Sequence, residues 1–213
     1  MRNNRTLVAV EGYPFIAIAF IITLVLVLAA WKITALITLG IMFFICYFFR
    51  NPDRKITEVK NAVVAPADGV IIYLGSACEE HLDGEMLKIS IFMSVFNVHI
   101  NRVPCSGRVL DTFSKRGKFL DARSERATFE NEQSGIILET EKGSRLAFVQ
   151  VAGLIARRII SYPVKGELLQ RGSRYGLIRF GSRVDLYLPK DIDLRAAIGD
   201  KTIAGETILG YLP

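Results

Sequence analysis

Histidine is scarce in this chain of 213 residues, with only His81 and His99. A multi-histidine metal centre is therefore excluded by counting, and any acid–base imidazole has two candidates. Cysteine is nearly as rare. Cys46, Cys78 and Cys105 are an odd number without paired spacing, which argues against a disulfide framework and suits a reducing, cytoplasm-facing domain. Cys78 lies three positions before His81, half a metal site, and no second pair completes it, so no metal is expected. An excess of one charge is also lacking. The 27 Lys and Arg against 21 Asp and Glu leave +6, too modest and too scattered for a nucleic-acid footprint, so no nucleic-acid partner is expected.

Apolar residues are abundant, at 51%, which excludes disorder. They concentrate at the N-terminus. Pro14 to Ala30 and Ile33 to Phe49 are two charge-free runs of 17 residues separated by Trp31 and Lys32. At about 1.5 Å per residue each gives roughly 25 Å, near the lower limit for a bilayer core of about 30 Å, so Tyr13, Trp31 and Tyr47 are expected as interfacial anchors. One helix through both runs would bury Lys32 in lipid at about 2.5–3.5 kcal/mol, and a two-helix transmembrane hairpin avoids that cost. Arg2 and Arg5 precede the first run, and Arg50, Arg54 and Lys55 follow the second. The positive-inside rule then places both termini in the cytoplasm, with the globular part facing the cytoplasmic leaflet. A cleaved signal peptide ending near Ala30 is the competing view, opposed by the second run that begins almost at the cut. Residues 1–55 are thus expected to be a membrane-anchoring hairpin with basic flanks, and residues 56–213, nearly balanced in charge, a globular domain.

From Ile56 onward the pattern changes to short β-rich runs broken by Gly and Pro, including VVAPADGVIIYLG, MLKISIFMSVFNVHINRVP, RLAFVQVAG and YGLIRFGSRVDLYLP. Short strands at this spacing predict a mainly β sandwich or barrel. The polar stretch 119–131 is expected to be a loop with a helical turn. Two internal echoes stand out: an apolar-Pro-x-x-Gly-x-Val frame at 65–71 and 103–109, and a repeated glycine frame at 165–181 and 198–212. Both look like the strand-turn-strand units of a biotinyl/lipoyl-like barrel-sandwich, since Gly and Pro set tight turns between short strands. A swinging-arm carrier would need a modifiable lysine at a hairpin tip, and Lys201 is the only position resembling one.

The candidates for chemistry are Asp68 in PADG, His99 in FNVHINRVP and the Gly181–Ser182 pair in RFGSRVDLYLP. Alone, each has a structural reading: a turn aspartate, a packed histidine, a turn after a strand. Together with their flanks, the blocks VVAPADGVI (63–71), FMSVFNVHINRVPCSGRV (92–109), QVAGLIARRI (150–159) and GLIRFGSRVDLYLP (176–189) resemble the short bacterial and archaeal type of phosphatidylserine decarboxylase. The resemblance covers essentially everything after the hairpin.

It implies that the chain breaks its own Gly181–Ser182 bond and converts Ser182 into an N-terminal pyruvoyl group. The fragments 1–181 and 182–213 would then stay together as a heterodimer, open to further oligomerisation. The substrate would be phosphatidylserine, and the products phosphatidylethanolamine and CO2. Decarboxylating an α-amino acid needs a sink for the carbanion electrons, and a pyruvoyl carbonyl takes the place of pyridoxal phosphate. Maturation begins with the Ser182 hydroxyl attacking the Gly181 carbonyl. The resulting ester eliminates to dehydroalanine, which hydrolyses with loss of ammonia. The hydroxyl needs a base, and His99, held by a carboxylate such as Asp68, is suited to that task, so the three residues follow triad logic in cis.

Two features depart from longer bacterial members, which carry Leu-Gly-Ser-Thr at the cut and a second histidine three residues after the first. Here the cut reads Phe180-Gly181-Ser182-Arg183, and the later position is Arg102. Arg102, Arg157, Arg158, Arg179 and Arg183 are candidates for the substrate carboxylate or phosphate, to which a guanidinium fork is matched. A solvated or packed arginine is the alternative at each. Two other readings remain open: a non-enzymatic membrane adaptor built on a barrel-sandwich, and a membrane-bound Ser-Lys protease resembling signal peptidase in having two N-terminal spans before a β domain.

Overall fold

Pro14 sits in the first turn of α1 (Tyr13–Leu28), where its missing N–H has no intrahelical partner to lose. The computed structural model describes residues 6–154, 158–179 and 181–213. The chain divides into a helical unit ending at Asp53 and a β unit from Arg54 to Pro213. In the helical unit a short turn at Ala29–Trp31 leads into α2 (Lys32–Phe48), with Ala30 at φ +60° making the reversal. The two helices form a hairpin. Thr23 Oγ1 donates to Thr38 Oγ1 at 3.0 Å, and at the open end Ala9 N–H donates to Phe49 O and Asn51 N–H to Leu7 O, both at 2.8 Å. Ile18, Ile21, Ile37 and Phe43 are each more than half exposed, so the outer faces are apolar. The stretch Val10–Leu28 is long and apolar enough to cross a bilayer, whereas α2 is apolar but shorter.

The β unit contains β1 (Ala62–Val64), β2 (Gly69–Cys78), β3 (Glu85–Met93), β4 (Ile100–Arg102), β5 (Gly107–Lys115), β6 (Gln133–Glu139) and β7 (Arg145–Ala152). These are followed by β8 (Ile159–Ser161), β9 (Leu168–Leu169), β10 (Arg174–Ile178), β11 (Ser182–Leu188), β12 (Asp193–Leu194), β13 (Lys201–Thr202) and β14 (Ile208–Tyr211). One helical turn, α3 (Ala127–Glu130), interrupts the polar stretch before β6, as expected. The mainly β expectation therefore holds. The largest sheet has the order β13-β2-β3-β11-β7-β6-β5-β9, and two three-stranded sheets have the orders β1-β14-β12 and β4-β10-β8. Every pairing between these strands is antiparallel.

The larger of two core clusters lies on one face of the large sheet. Ile71, Ile89, Ile91, Phe148, Val184 and Leu186 from that sheet pack with Val63 and Leu209 from the β1 sheet and Tyr175 and Ile178 from the β4 sheet. The small sheets thus close over the large one. Cys105 lies in this core, and burial pushes its thiol up to about 12, which leaves it an inert thiol.

The opposite face holds a buried charge cluster. Lys88 Nζ lies 3.1 Å from Asp185 Oδ2, and Arg183 Nη2 donates to the same carboxylate at 2.9 Å. Burial lowers the Lys88 pKa, and the Asp185 charge opposes that shift. One carboxylate therefore compensates two cations away from water. Asp185→Asn should destabilise the fold by about 3–5 kcal/mol, because it leaves both cations without their counter-charge. Chemical denaturation followed by circular dichroism measures it.

Candidate active site

Strand register brings most of the expected residues to one end of the large sheet. Ser182 opens β11 and pairs with Met93, the last residue of β3, and with Ala152, the last residue of β7. Gly69 and Val70, at the start of β2, lie at the same end, since Val70 pairs with Phe92. His99 arrives from the other sheet: it precedes β4, and its carbonyl accepts the Ile178 N–H at 3.3 Å. Three residues after Ile178 comes Gly181. The antiparallel β4–β10 pairing therefore carries His99 to the corner where β10 gives way to β11.

Ser182 is completely buried, and its Oγ makes no hydrogen bond. A hydroxyl in that state ordinarily costs stability, so its retention points to chemistry rather than packing. Gly181 has φ +52°, the left-handed region that costs a residue with a Cβ about 1–2 kcal/mol. Among the described residues, its chain neighbours aside, no heavy atom lies within 4 Å of where a Gly181 Cβ would stand. Backbone conformation, not crowding, therefore selects glycine there. Gly153 is selected by the opposite cause. A Cβ on it would stand 2.0 Å from the Gly181 oxygen and 2.9 Å from its carbonyl carbon. Only glycine lets the chain after β7 lie against that carbonyl. Gly153→Ala should displace the Gly181 carbonyl and slow the scission expected at Gly181–Ser182 by about 10²-fold, the cost of roughly 1 Å of misplacement. Timed gels of newly made chain would show it.

His99 is buried, and its Nδ1 lies 3.0 Å from the Asn97 carbonyl. A carbonyl oxygen only accepts, so Nδ1 carries a proton, and in the neutral ring Nε2 then holds the lone pair, the tautomer a general base requires. Asn97 is itself fixed, because its Oδ1 accepts from Ser94 N–H at 2.9 Å and Ser94 Oγ at 2.8 Å. The carboxylate expected to orient His99 is engaged elsewhere. Asp68 accepts two bonds from Arg54 Nη2, at 3.0 and 2.7 Å, and one from Ala204 N–H at 2.7 Å. The imidazole is thus oriented by a local carbonyl, and Asp68 ties the start of the β unit to the turn after β13.

A buried amide relay supports the same corner. Gln150 Nε2 donates to Asn101 Oδ1 at 2.8 Å, and Asn101 Nδ2 contacts Met93 Sδ at 3.6 Å. Met93 is the strand partner of Ser182, and Gln150 lies two residues before Ala152 in β7, on the same face.

The arginines divide by position. Arg183 follows Ser182 in a strand, so its side chain leaves from the opposite face. There it donates to Ala122 O at 2.8 Å, Ser124 O at 3.1 Å and Thr128 Oγ1 at 2.7 Å besides Asp185, and it is only 3% exposed. Its bonds are structural. Arg102 is buried, with Nη1 donating to Gly172 O at 2.8 Å and its backbone N–H to Pro66 O at 2.9 Å. Arg158 is exposed and Arg179 half-buried, adjacent through Arg179 N–H to Arg158 O at 3.3 Å. Arg157 and Phe180 lie outside the described residues. His81 stacks on Phe113 at 3.8 Å beside Glu79.

Comparison with known proteins settles the class. The phosphatidylserine decarboxylase family profile matches residues 41–210. The chain belongs to the phosphatidylserine decarboxylase family. Among its relatives, the phosphatidylserine decarboxylase proenzyme of Geotalea uraniireducens is 66% identical over 213 residues, covering all of both chains. Those of Geobacter sulfurreducens and Syntrophotalea carbinolica are 62% and 54% identical, also over the full length of both chains. The expected enzyme class, a carboxy-lyase acting on phosphatidylserine, holds, and neither the adaptor nor the Ser-Lys protease is favoured. Set in a phosphatidylserine decarboxylase, the features that sequence reasoning missed gain a purpose. Gly153 closes on the Gly181 carbonyl, Arg54 binds Asp68, and the Asn101–Gln150 pair backs the strand partner of Ser182. Only Gly153 carried a signal, as a glycine directly after a strand, where close backbone approach is common.

Proposed function

We propose that this phosphatidylserine decarboxylase makes its own prosthetic group by breaking the Gly181–Ser182 bond, with Ser182 as nucleophile and precursor of a pyruvoyl group. The observation that carries the reading is the join itself: a buried hydroxyl without a hydrogen bond directly follows a glycine at φ +52° whose carbonyl rests against Gly153. His99 Nε2 takes the Ser182 hydroxyl proton as Oγ adds to the Gly181 carbonyl carbon. The C–N bond breaks, the Ser182 nitrogen gains a proton, and Gly181 is left esterified to Oγ. Loss of the Ser182 Cα proton then expels the Gly181 carboxylate, and water replaces the enamine nitrogen, releasing ammonia.

The residues present fit this group, because a ketone replacing the Ser182 amine would stand at the start of β11 among buried neighbours that shield it from water. A pyruvoyl carbonyl supplies the electron sink for decarboxylation. In turnover His99 holds and returns a proton at Nε2. Asp68 acts as a positioning residue, through Arg54 and the Ala204 N–H. Arg158 and Arg179 are suited to the lipid phosphate, and Arg102 to holding the floor between β4 and Gly172.

In the same reading, residues 1–55 form a transmembrane hairpin and residues 56–213 the catalytic domain, on the cytoplasmic side of the inner membrane. Support comes from the apolar outer faces of α1 and α2 and the basic flanks. The glycine frames and tight turns of the three sheets favour a barrel-sandwich relationship for the β unit. Fragments 1–181 and 182–213 remain a heterodimer, because β11 is hydrogen-bonded on both edges, to β3 and to β7. The test is intact-mass spectrometry of the purified protein. A C-terminal piece beginning at residue 182 with a ketone in place of its amine supports the reading, and an active, unbroken chain with an ordinary serine refutes it.

A further inference from the structure

The end of the large sheet that carries Ser182 also carries large apolar side chains turned to solvent. Three residues beyond Met93 is Phe96, 64% exposed, and two residues beyond Ala152 is Leu154, 71% exposed. Both loops continue the strands that flank Ser182. A third residue, Ile203, is 42% exposed and directly follows Thr202, which pairs with Gly69 at the same end. Scattered single apolar residues need no explanation, but three on three separate loops around one reactive residue form a rim. The exposed Arg158 adds positive charge on the segment that follows Leu154. The β unit also begins here, since its first residue, Arg54, is bound by Asp68 one position before Gly69.

We propose that Phe96, Leu154 and Ile203 form a docking rim that inserts into the interface of an anionic phospholipid bilayer and sets the mouth of the Ser182 site against the headgroup layer. The proposal rests on the reading of Ser182 as the reactive residue and deepens it. The occupant follows from the substrate, a diacyl lipid whose acyl chains are held in a bilayer. If the rim touches the bilayer, the chains stay in lipid and only the serine headgroup enters. Side chains of this kind at a membrane-facing rim bury their apolar bodies at the boundary of headgroup and acyl region, while nearby arginines meet lipid phosphates. Leu168, equally apolar and 62% exposed, lies at the other end of the sheet, where β9 pairs with the start of β5. It serves as an internal control.

The test uses the full chain reconstituted in phosphatidylcholine vesicles. The triple variant Phe96→Ser, Leu154→Ser, Ile203→Ser is compared with the parent on two substrates: dioleoyl phosphatidylserine within the bilayer and dihexanoyl phosphatidylserine dispersed below its micelle threshold. The expected result is a loss of about tenfold or more on the bilayer substrate, equivalent to about 1.4 kcal/mol, with self-scission and turnover of the dispersed substrate within about twofold. In a Trp31→Phe background, Leu154→Trp fluorescence should be quenched by brominated phosphatidylcholine and Leu168→Trp fluorescence should not. Equal loss on both substrates, no loss on the bilayer substrate, or equal quenching at 154 and 168 overturns the rim. An uncut, active parent overturns the reading of Ser182 instead, so the two failures are distinct.

Discussion

Ser182→Ala is expected to give a single uncut chain of 23.8 kDa with no decarboxylase activity, and to fold as well as the parent. The second half of that expectation gives the first its force. In most buried positions, removing a serine hydroxyl strands the group it was bonded to, at about 1–3 kcal/mol, and a dead variant is then ambiguous between chemistry and misfolding. Ser182 Oγ has no hydrogen-bond partner to strand. Alanine keeps the Cβ, fits the same strand between Met93 and Ala152, and spares the burial of an unsatisfied hydroxyl. Its denaturation midpoint should therefore equal or slightly exceed that of the parent. The covalent event has no substitute route, because every later step starts from an ester on that oxygen. Gel mobility, intact mass and CO2 release read the three parts of the expectation separately. A cut Ser182→Ala chain would remove Ser182 from the mechanism.

The mainly β class was legible because it is local, written in short apolar runs between Gly and Pro; the proposed cut likewise rests on a local sign, a Gly–Ser pair inside a recognisable block. What the sequence concealed is contact across distance. Arg54 read as one of several basic residues flanking the apolar runs, and nothing local indicates that its guanidinium closes on Asp68. Asp68 and His99 read as a pair by triad logic, yet a carbonyl two residues before His99 accepts the Nδ1–H hydrogen bond, and backbone acceptors leave no mark in composition. Arg183 is a different case. Strand alternation already says that residues 182 and 183 face opposite ways, so a substrate role for both from one pocket was excluded by the period of two. Gly153 lies between these extremes. Its place after a strand signals close approach, but which group approaches is set by the β7–β11 register, joining residues about thirty positions apart.

His99→Ala should slow self-scission by about 10²- to 10⁴-fold, the usual worth of a positioned general base, and lower turnover of whatever enzyme does mature. The argument is geometric. With Nδ1 committed to the Asn97 carbonyl, the ring presents Nε2 as its acceptor, and the β4–β10 pairing holds it at the corner leading to Gly181. Alanine removes the acceptor while leaving the His99 backbone carbonyl to receive the Ile178 N–H, so the strand pairing survives. The comparison with Asp68→Asn separates two accounts of the carboxylate. If Asp68 works by holding Arg54 and the Ala204 N–H, then Asp68→Asn and Arg54→Ala should slow scission to similar extents, both less than His99→Ala. If the carboxylate acts on the imidazole during reaction, Asp68→Asn should approach His99→Ala while Arg54→Ala stays near the parent. The arrangement of bonds favours the first outcome, because both Asp68 oxygens are already engaged by donors other than histidine. Rates of appearance of the 182–213 fragment, measured for the three variants from pulse-labelled chain, decide between them.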